Sequence, residues 1–281
     1  MKRLLTLLIF SVPLAAQQVQ FQADPKETIE QRLSAYAGND RTRAGTLKRF
    51  FQEAGCPELS EQAVKGQKLP NVLCVLPGSS GRSIIVGAHF DHADIGDGVL
   101  DNWSGASLLP GLLRSLTGTA RRHTYIFVGF TAEEKGLVGS RFYINHVAET
   151  DQPRIDAMVN LDTLGLGPTK VWATHANPAL LDALARVAKA MKLPITAFNV
   201  DGIGSSDSEP FRDKKVPAIT IHSATTETLP LLHSLRDNPK HLRLDDYYDS
   251  YRLIAAYLAF LDTALPPSSP EPPSRGKTAQ P

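Results

Sequence analysis

Acidic and imidazole side chains recur directly after short apolar runs of this sequence. They are His89 and Asp91 after the run that starts at Ser83, Glu133 and Glu134 after Tyr125–Phe130, Asp162 after Met158–Leu161, and His222 after Ala218–Ile221. Asp101 opens the segment that returns from the first of these runs, and His233 follows one loop after the last. Because ligands of open α/β sheets bind beyond the carboxyl ends of the strands, we expect these side chains to converge at one edge of a sheet.

Imidazole and carboxylate donors without thiolates are the ligands of a hydrolytic divalent metal site, with zinc as the first choice. Two such ions, about 3.5 to 4 Å apart, need a bridging carboxylate and make hydroxide available from a bound water near neutral pH. A further carboxylate must then move the proton. The adjacent pair Glu133 and Glu134 can divide these roles on an irregular loop, one as ligand and one as base.

Each of these residues also has an ordinary structural interpretation. A single histidine or aspartate at a strand end commonly satisfies loop backbone groups, Asp101 is also a possible helix N-cap, and Glu133 and Glu134 also fit a solvated turn. The coincidence of several such residues at one edge favours a site. The residues alone leave His222 and His233 both open as the last ligand.

Other site classes lack their motifs. The sequence contains no H-E-x-x-H, no G-x-S-x-G, no G-x-x-x-x-G-K-[ST] and no complete G-x-G-x-x-G, which argues against a serine hydrolase or a nucleotide-binding protein. The formal net charge is +1, so no strong overall field draws the chain to nucleic acid or acidic lipid. We therefore expect no nucleic-acid partner.

Apolar runs alternate with helical patterns, which predicts an α/β three-layer sandwich in which a largely parallel mixed sheet carries helices on both faces. The predicted strands are Val72–Leu76, Ser83–Gly87, Thr124–Phe130, Ala157–Leu161, Lys170–Ala173, Ile195–Val200 and Ala218–Ile221. Helices are predicted from an Asp24 N-cap to Gly38, through Leu47 to a stop at Gly55, after Ser104, after Gly136, over Pro178–Met191, and through Leu253 to Leu265. Pro110 should kink or shorten the helix that follows Ser104.

The two ends of the chain differ in composition from the rest. Lys2 and Arg3 precede an apolar run that ends at Ala16, which is typical of a cleaved export signal over residues 1–16; a buried N-terminal helix is the alternative. The run is shorter than the roughly 20 residues that a membrane helix needs, so we expect an exported protein, periplasmic or secreted, without a membrane anchor after cleavage. Residues 17–265 then form one domain, and 266–281, with six prolines, form a disordered tail.

Two cysteines, Cys56 and Cys74, lie 18 residues apart. In an oxidising compartment such an isolated pair is a candidate disulfide, whose loop would contribute roughly 3 kcal/mol. Two separate buried thiols are the alternative.

The order of these residues resembles the secreted co-catalytic di-zinc aminopeptidases, a family whose relatives include glutaminyl cyclases and the glutamate carboxypeptidase group. Five blocks between Asn71 and Leu265 carry the resemblance. They are Gly-Ala-His-Phe-Asp-His at 87–92, Asp-Asn-Trp-Ser-Gly at 101–105, Thr-Ala-Glu-Glu-Lys-Gly-Leu-Val-Gly-Ser at 131–140, Asn-Leu-Asp at 160–162, and Leu-His-Ser-Leu-Arg-Asp at 232–237.

The resemblance implies a role for each matching residue. Asp101 bridges two zinc ions, His89 and Asp162 complete one, Glu134 and His233 complete the other, and Glu133 is the general base. Asp91 matches the carboxylate that fixes the ring of the first histidine, and His92, Asn102 and Ser104 are supporting residues. The motif favours His233 over His222, and it places Asp207 near the substrate pocket.

We therefore expect a monomeric, exported zinc exopeptidase that removes N-terminal residues from a peptide substrate. Glutaminyl-peptide cyclotransferase activity on the same scaffold is the alternative. A non-catalytic peptide-binding relative is a third possibility, which the completely filled set of ligand positions disfavours.

Overall fold

The computed structural model describes residues 21–147 and 151–265 of the chain. The predicted export signal at 1–16 and the predicted tail at 266–281 lie outside the described residues.

One mixed sheet of eight strands runs through the described part of the chain. The strands are β1 (Glu58–Gln62), β2 (Asn71–Leu76), β3 (Ser83–His89), β4 (Thr124–Phe130), β5 (Ile155–Leu161), β6 (Lys170–Val171), β7 (Thr196–Ala197) and β8 (Ala218–His222). Their order is β1-β2-β4-β3-β5-β8-β6-β7. The four central strands, β4, β3, β5 and β8, are parallel, whereas β2 and β6 pair antiparallel to β4 and β8.

The parallel strands end at the same edge, and this edge carries the predicted site residues. His89, the last residue of β3, lies opposite Phe130, the last residue of β4. Leu161, the last residue of β5, lies opposite Ile221 of β8. The residues that follow these strands therefore start from one line across the sheet.

Helices cover both faces. They are α1 (Lys26–Ser34), α2 (Asp40–Glu53), α3 (Ser104–Ala106), α4 (Leu109–Leu116), α5 (Val138–His146), α6 (Pro178–Met191), α7 (Glu209–Asp213) and α8 (Leu244–Ala264). Ile84 and Val86 of β3 face the core that holds α1, α2, α4, α6 and α8, and Ile85 faces the core that holds α5 and α7. Successive residues of a strand point to opposite faces, so the two cores lie on opposite sides of the sheet. The predicted three-layer α/β fold is confirmed.

Several local predictions differ from the structure. Asp24 does not cap α1, because its carboxylate accepts hydrogen bonds from the guanidinium groups of Arg32 at 2.7 Å and Arg114 at 2.8 Å. The helix ends at Ser34, before Gly38. The strand predicted over Ile195–Val200 is only Thr196–Ala197, and the edge strand β1 was not predicted because its Glu-Leu-Ser-Glu-Gln sequence is polar.

Pro110 interrupts the helix after Ser104 as predicted. The segment divides into α3 and α4, and Pro110 lies in the first turn of α4. A proline is tolerated there because the first N–H groups of a helix have no intrahelical partner.

Cys56 and Cys74 form a disulfide with a Cα–Cα distance of 6.0 Å. The bond joins the end of α2 to the buried strand β2. Among the described residues, no helix has both the length and the apolar content to cross a bilayer.

Candidate metal centre

The side chains of Asp101, His89, His233 and Glu134 meet at the carboxyl edge of the sheet. One carboxylate oxygen of Asp101, Oδ1, lies 3.2 Å from Nε2 of His89. The other, Oδ2, lies 3.2 Å from Nε2 of His233. The same nitrogen of His233 lies 3.1 Å from Oε2 of Glu134. Asp101 therefore faces a different histidine with each of its oxygens.

Two further carboxylates complete the cluster around His89. Oδ1 of Asp162 and Oε2 of Glu133 each lie 3.9 Å from Nε2 of His89. Within the described residues, one group of possible metal donors is His89, Glu133 and Asp162, and a second is His89, Asp101 and Glu134; the donor atoms of each group lie within 4.8 Å of one another.

The loops that carry this cluster adopt uncommon backbone conformations. Ala132, Thr163 and His233 have φ values of 55°, 53° and 53°, in the left-handed region that residues other than glycine seldom occupy. Asp101 lies in an irregular helical segment, and its peptide bond to Asn102 is cis. Left-handed residues of this kind concentrate at functional sites, where the surrounding structure holds them.

Asp91 fixes the loop after β4 that carries Glu133 and Glu134, called the glutamate loop below. Its Oδ1 accepts the N–H of Glu133 at 3.0 Å, and its Oδ2 accepts the N–H of Glu134 at 3.2 Å. Nδ1 of His89 lies nearer to the carbonyl oxygen of Asp91, at 3.1 Å, than to its carboxylate, at 3.7 Å. The carboxylate predicted to orient the His89 ring thus binds the glutamate backbone, and the carbonyl of the same residue contacts the ring.

Asn102 fixes the backbone on both sides of Asp162. Its amide nitrogen donates to the carbonyl of Leu161 at 2.9 Å, and its Oδ1 accepts the N–H of Thr163 at 3.2 Å. The hydroxyl of Ser104 accepts the N–H of Leu164 at 2.9 Å. These two residues brace the loop after β5. The predicted supporting residue His92 instead contacts Asp40 of α2, with its Nδ1 2.7 Å from Oδ1.

His222 lies apart from the cluster. Its Nε2 donates to the carbonyl of Phe198 at 2.9 Å, and its Nδ1 accepts the N–H of Ala224 at 3.2 Å. Burial lowers the pKa of His222 to about 4, so the ring is neutral. The structure therefore brings His233, and not His222, to Asp101.

Burial and mutual repulsion raise the pKa of Glu133, Glu134 and Asp162, whereas the pKa of Asp101 is lowered. Burial, with repulsion from Asp207 and Asp162, raises the pKa of Glu133 to about 10. Burial and the charge of Asp101 raise the pKa of Glu134 to about 7 and that of Asp162 to about 7. Burial opposes ionisation of Asp101 as well, but hydrogen bonds with His233 and His89 outweigh it and hold the pKa of Asp101 below its usual range.

The two histidines carry the complementary shifts. The hydrogen bond to Asp101 raises the pKa of His233 to about 9. Burial opposes protonation of His89, but the charge of Glu133, the hydrogen bond to Asp101 and the nearby carboxylate of Asp91 hold its pKa well above the usual value.

A divalent cation fits this donor set. Oε1 of Glu134 is buried and has no hydrogen-bond partner within the described residues. The cluster places four buried or nearly buried carboxylates against two imidazoles, and unpaired buried charge is costly. Carboxylate oxygens and imidazole nitrogens without thiolates are the donors of hydrolytic zinc sites.

A cavity opens beside the cluster, and Asp207 does not line it. Its side chain is fully buried, and its neighbour Ser206 provides the lining. Burial raises the pKa of Asp207 to about 6. Asp207, which the motif placed near the substrate pocket, is therefore not part of the cavity lining.

A cavity of about 510 Å³ opens beside the cluster. Away from the metal-donor side chains its walls are apolar or uncharged. They include Trp172, Val200, Ile203, Ala224, Leu229, Leu232, Thr163, Ser205, Ser206 and Thr220. The sequence did not point to these residues, because they come from strand β8 and from separate loops that only the fold brings together.

The central parallel strands, the helices on both faces and the carboxylate–histidine cluster at the carboxyl edge define an α/β fold of the zinc-exopeptidase type. The model described as peptidase family M28 matches residues 71–258, well over half of the chain. The chain belongs to this family.

Similar proteins agree with this fold. The aminopeptidase YwaD of Bacillus subtilis is 27% identical over 182 residues, which are 62% of this chain and 40% of that protein. The Legionella pneumophila LapA aminopeptidase structure superimposes with a TM-score of 0.76 at 22% identity, covering 90% of this chain and 79% of that one. A Porphyromonas gingivalis glutaminyl cyclase structure has a TM-score of 0.65 at 16% identity, covering 83% of this chain and 96% of that one.

Proposed function

We propose that this chain is an exported, monomeric aminopeptidase that holds two zinc ions and hydrolyses the N-terminal bond of peptides. One observation carries the proposal: the two carboxylate oxygens of Asp101 each lie 3.2 Å from a different histidine, His89 and His233. A carboxylate that faces two imidazoles in this way suits a bridging ligand. Membership of peptidase family M28 supports the peptide substrate.

Each ion would have its own set of ligands in addition to Asp101. His89 and Asp162 would hold one ion, and Glu134 and His233 the other. When bound, zinc supplies a Lewis acid that polarises the scissile carbonyl and lowers the pKa of a water molecule.

Glu133 has the position and environment of a general base. Its carboxylate lies 3.9 Å from Nε2 of His89, the residue lines the cavity, and its backbone N–H is fixed by Asp91. On this proposal Glu133 takes a proton from the attacking water and gives it to the departing amine nitrogen.

The cavity supports a preference for an apolar N-terminal residue. Trp172, Val200 and Leu229 line it, and the charged groups in its lining belong to the donor cluster. Those acidic groups would attract the free α-amino group of a peptide while the apolar walls contact the first side chain.

The predicted export signal and the Cys56–Cys74 disulfide support a location outside the cytoplasm. Glutaminyl-peptide cyclotransferase activity is the second candidate, because a cyclase with this fold aligns over 96% of its length. The two-sided contacts of Asp101 favour the two-metal aminopeptidase.

Metal analysis combined with product analysis tests the proposal. We expect two zinc ions per chain, release of free amino acids from aminoacyl anilides, and fastest turnover of the apolar ones. Ammonia released from an N-terminal glutamine peptide without a free amino acid would indicate the cyclase instead. A chain that binds no zinc and cleaves nothing after zinc or cobalt is added would indicate a non-catalytic relative.

A further inference from the structure

His233 is the most exposed residue of the cluster. Its side chain is 58% exposed, against 2% for His89 at the end of β3. It lies on a loop whose own hydrogen bonds are mostly internal. For example, the hydroxyl of Ser234 donates to the carbonyl of Leu231 at 2.7 Å, and the guanidinium of Arg236 donates to that of Pro230 at 2.9 Å. These bonds shape the loop without fixing it to the rest of the site.

Asp237 connects this loop to the segment that carries Asp101. Its side chain is buried, at 2% exposed, and its Oδ1 accepts the N–H of Leu100 at 2.7 Å. Its Oδ2 accepts the N–H of Asp101 itself at 3.2 Å. Its carbonyl oxygen accepts the N–H of Asp97 at 2.7 Å. In the part of the chain that the structure describes, Asp237 is the one residue of segment 234–238 whose hydrogen bonds leave the loop 229–241.

The loop that carries Gly96 packs closely against the loop that carries Asp237. A Cβ atom on Gly96 would lie 2.4 Å from the carbonyl oxygen of Ser234 and 3.1 Å from Cβ of Asp237. Gly96 also has a φ of +96°, which favours glycine. The loops around Gly96 and Asp237 therefore contact each other directly.

We propose that Asp237 is a positioning residue that sets the geometry between His233 and Asp101, and thereby the affinity of the ion these residues would share. The inference rests on the proposed two-zinc function. The ion assigned to His89 and Asp162 should depend on Asp237 less, because Asn102 braces the backbone around Asp162 independently. Loss of Asp237 should therefore weaken one zinc site selectively.

Zinc titration of Asp237→Asn against a competing chelator tests this. The substitution keeps the size of the side chain but leaves one oxygen to serve two N–H donors. We expect the affinity of one zinc ion to fall at least about tenfold, the scale typical of residues that orient metal ligands, with the affinity of the other changed much less. Excess zinc should restore most of the activity.

Asp262→Asn is the matched control. Asp262 is also a buried aspartate whose two oxygens accept consecutive backbone N–H groups, those of Arg122 at 2.9 Å and His123 at 2.8 Å, but at the opposite end of β4. We expect this variant to lose stability and to keep both zinc affinities.

The outcomes separate the inference from the function on which it rests. Two unchanged zinc affinities in a folded Asp237→Asn protein would overturn the role of Asp237 and leave the two-zinc proposal standing. A loss of zinc affinity in Asp262→Asn as large as that in Asp237→Asn would have the same consequence. A wild-type protein that binds no zinc would overturn both proposals.

Hydrogen exchange of the wild-type protein provides a test that needs no variant to fold. The amides of Leu100 and Asp101 should exchange slowly, since both donate to the buried Asp237 carboxylate. Fast exchange of both amides would contradict the inference.

Discussion

The carboxylate of Asp91 accepts the backbone N–H of Glu133 at 3.0 Å, so a residue of the loop after β3 sets the position of the residue proposed as general base after β4. The second oxygen of Asp91 accepts the N–H of Glu134 at 3.2 Å. One buried carboxylate thus places both glutamates, the proposed base and a proposed ligand, relative to His89.

Replacing Asp91 with Asn should therefore lower kcat more than it raises KM. The amide keeps the volume but presents one acceptor to two N–H groups, so the glutamate loop loses part of its support. We expect kcat to fall by about 10- to 100-fold, with zinc retained at saturating concentration. Steady-state kinetics with an aminoacyl anilide measure the effect. The control is Asp94→Asn, which changes an exposed residue of the loop that carries Asp91 and should behave as wild type.

Glu133→Gln should separate catalysis from metal binding. Since Glu133 is assigned the proton transfer and no metal, we expect two zinc ions per chain and a loss of kcat of at least about 100-fold. Glu134→Gln should instead reduce the zinc content.

The pair of variants has an informative opposite result. Glu133 belongs to one of the two possible donor groups, with His89 and Asp162. Loss of one zinc ion from Glu133→Gln, with both ions kept in Glu134→Gln, would show that the two glutamates have exchanged roles.

The sequence predicts the central strands and the proposed ligands that follow them for one physical reason. Parallel strands buried on both faces read as continuous apolar runs, and their carboxyl ends share an edge. Ser83–His89 and Thr124–Phe130 are such runs, and the polar residues after them meet in the structure. The edge strand Glu58–Gln62 is mostly solvent-exposed, so its residues carry no apolar signal.

The choice between His222 and His233 lay beyond strand patterns. His222 is the last residue of β8, but its ring nitrogens are engaged by backbone groups of Phe198 and Ala224. His233 reaches the site through a loop whose path depends on contacts such as that of Asp237 with Leu100. These contacts join residues 137 positions apart, which no local pattern encodes. Only the resemblance to a family favoured the residue that the fold brings to Asp101.

Zinc affinity should rise with pH well above the ordinary imidazole range. In the metal-free cluster the pKa of His233 is raised to about 9, so below that pH the ring carries a proton that zinc must displace. Each displaced proton changes the apparent affinity by about tenfold per pH unit below the pKa. We expect the affinity of the ion assigned to His233 to increase steadily from pH 7 to pH 9, in competition titrations corrected for the chelator. A constant affinity over this range would contradict the raised pKa of His233.

A second charged network, at the opposite end of the sheet, predicts a pH-dependent contribution to stability. The buried ring of His123 contacts Asp262 through Nδ1 and Asp156 through Nε2, at 3.0 Å each, and Arg82 also pairs with Asp156. Burial opposes protonation of His123, but the two carboxylates outweigh burial and raise the pKa of the ring. Hydrogen bonds with Arg82 and His123 lower the pKa of Asp156 against the effect of burial. Hydrogen bonds with His123 and the adjacent backbone lower the pKa of Asp262 in the same way.

The raised pKa of His123 stabilises the fold fully below the unfolded value, about 6.5, and this contribution is lost as pH rises through the folded value. The lowered carboxyl pKa values stabilise it above about 4 and lose their contribution at lower pH. The network is therefore strongest between these limits.

His123→Gln should lower the free energy of unfolding by about 1 to 3 kcal/mol at pH 5.5 and by less at pH 9. Urea unfolding of both proteins at each pH measures the difference and cancels shared metal effects. His146→Gln, on the exposed end of α5, should show no such trend. A His123→Gln deficit that grows with pH would contradict the charged state assigned to this ring.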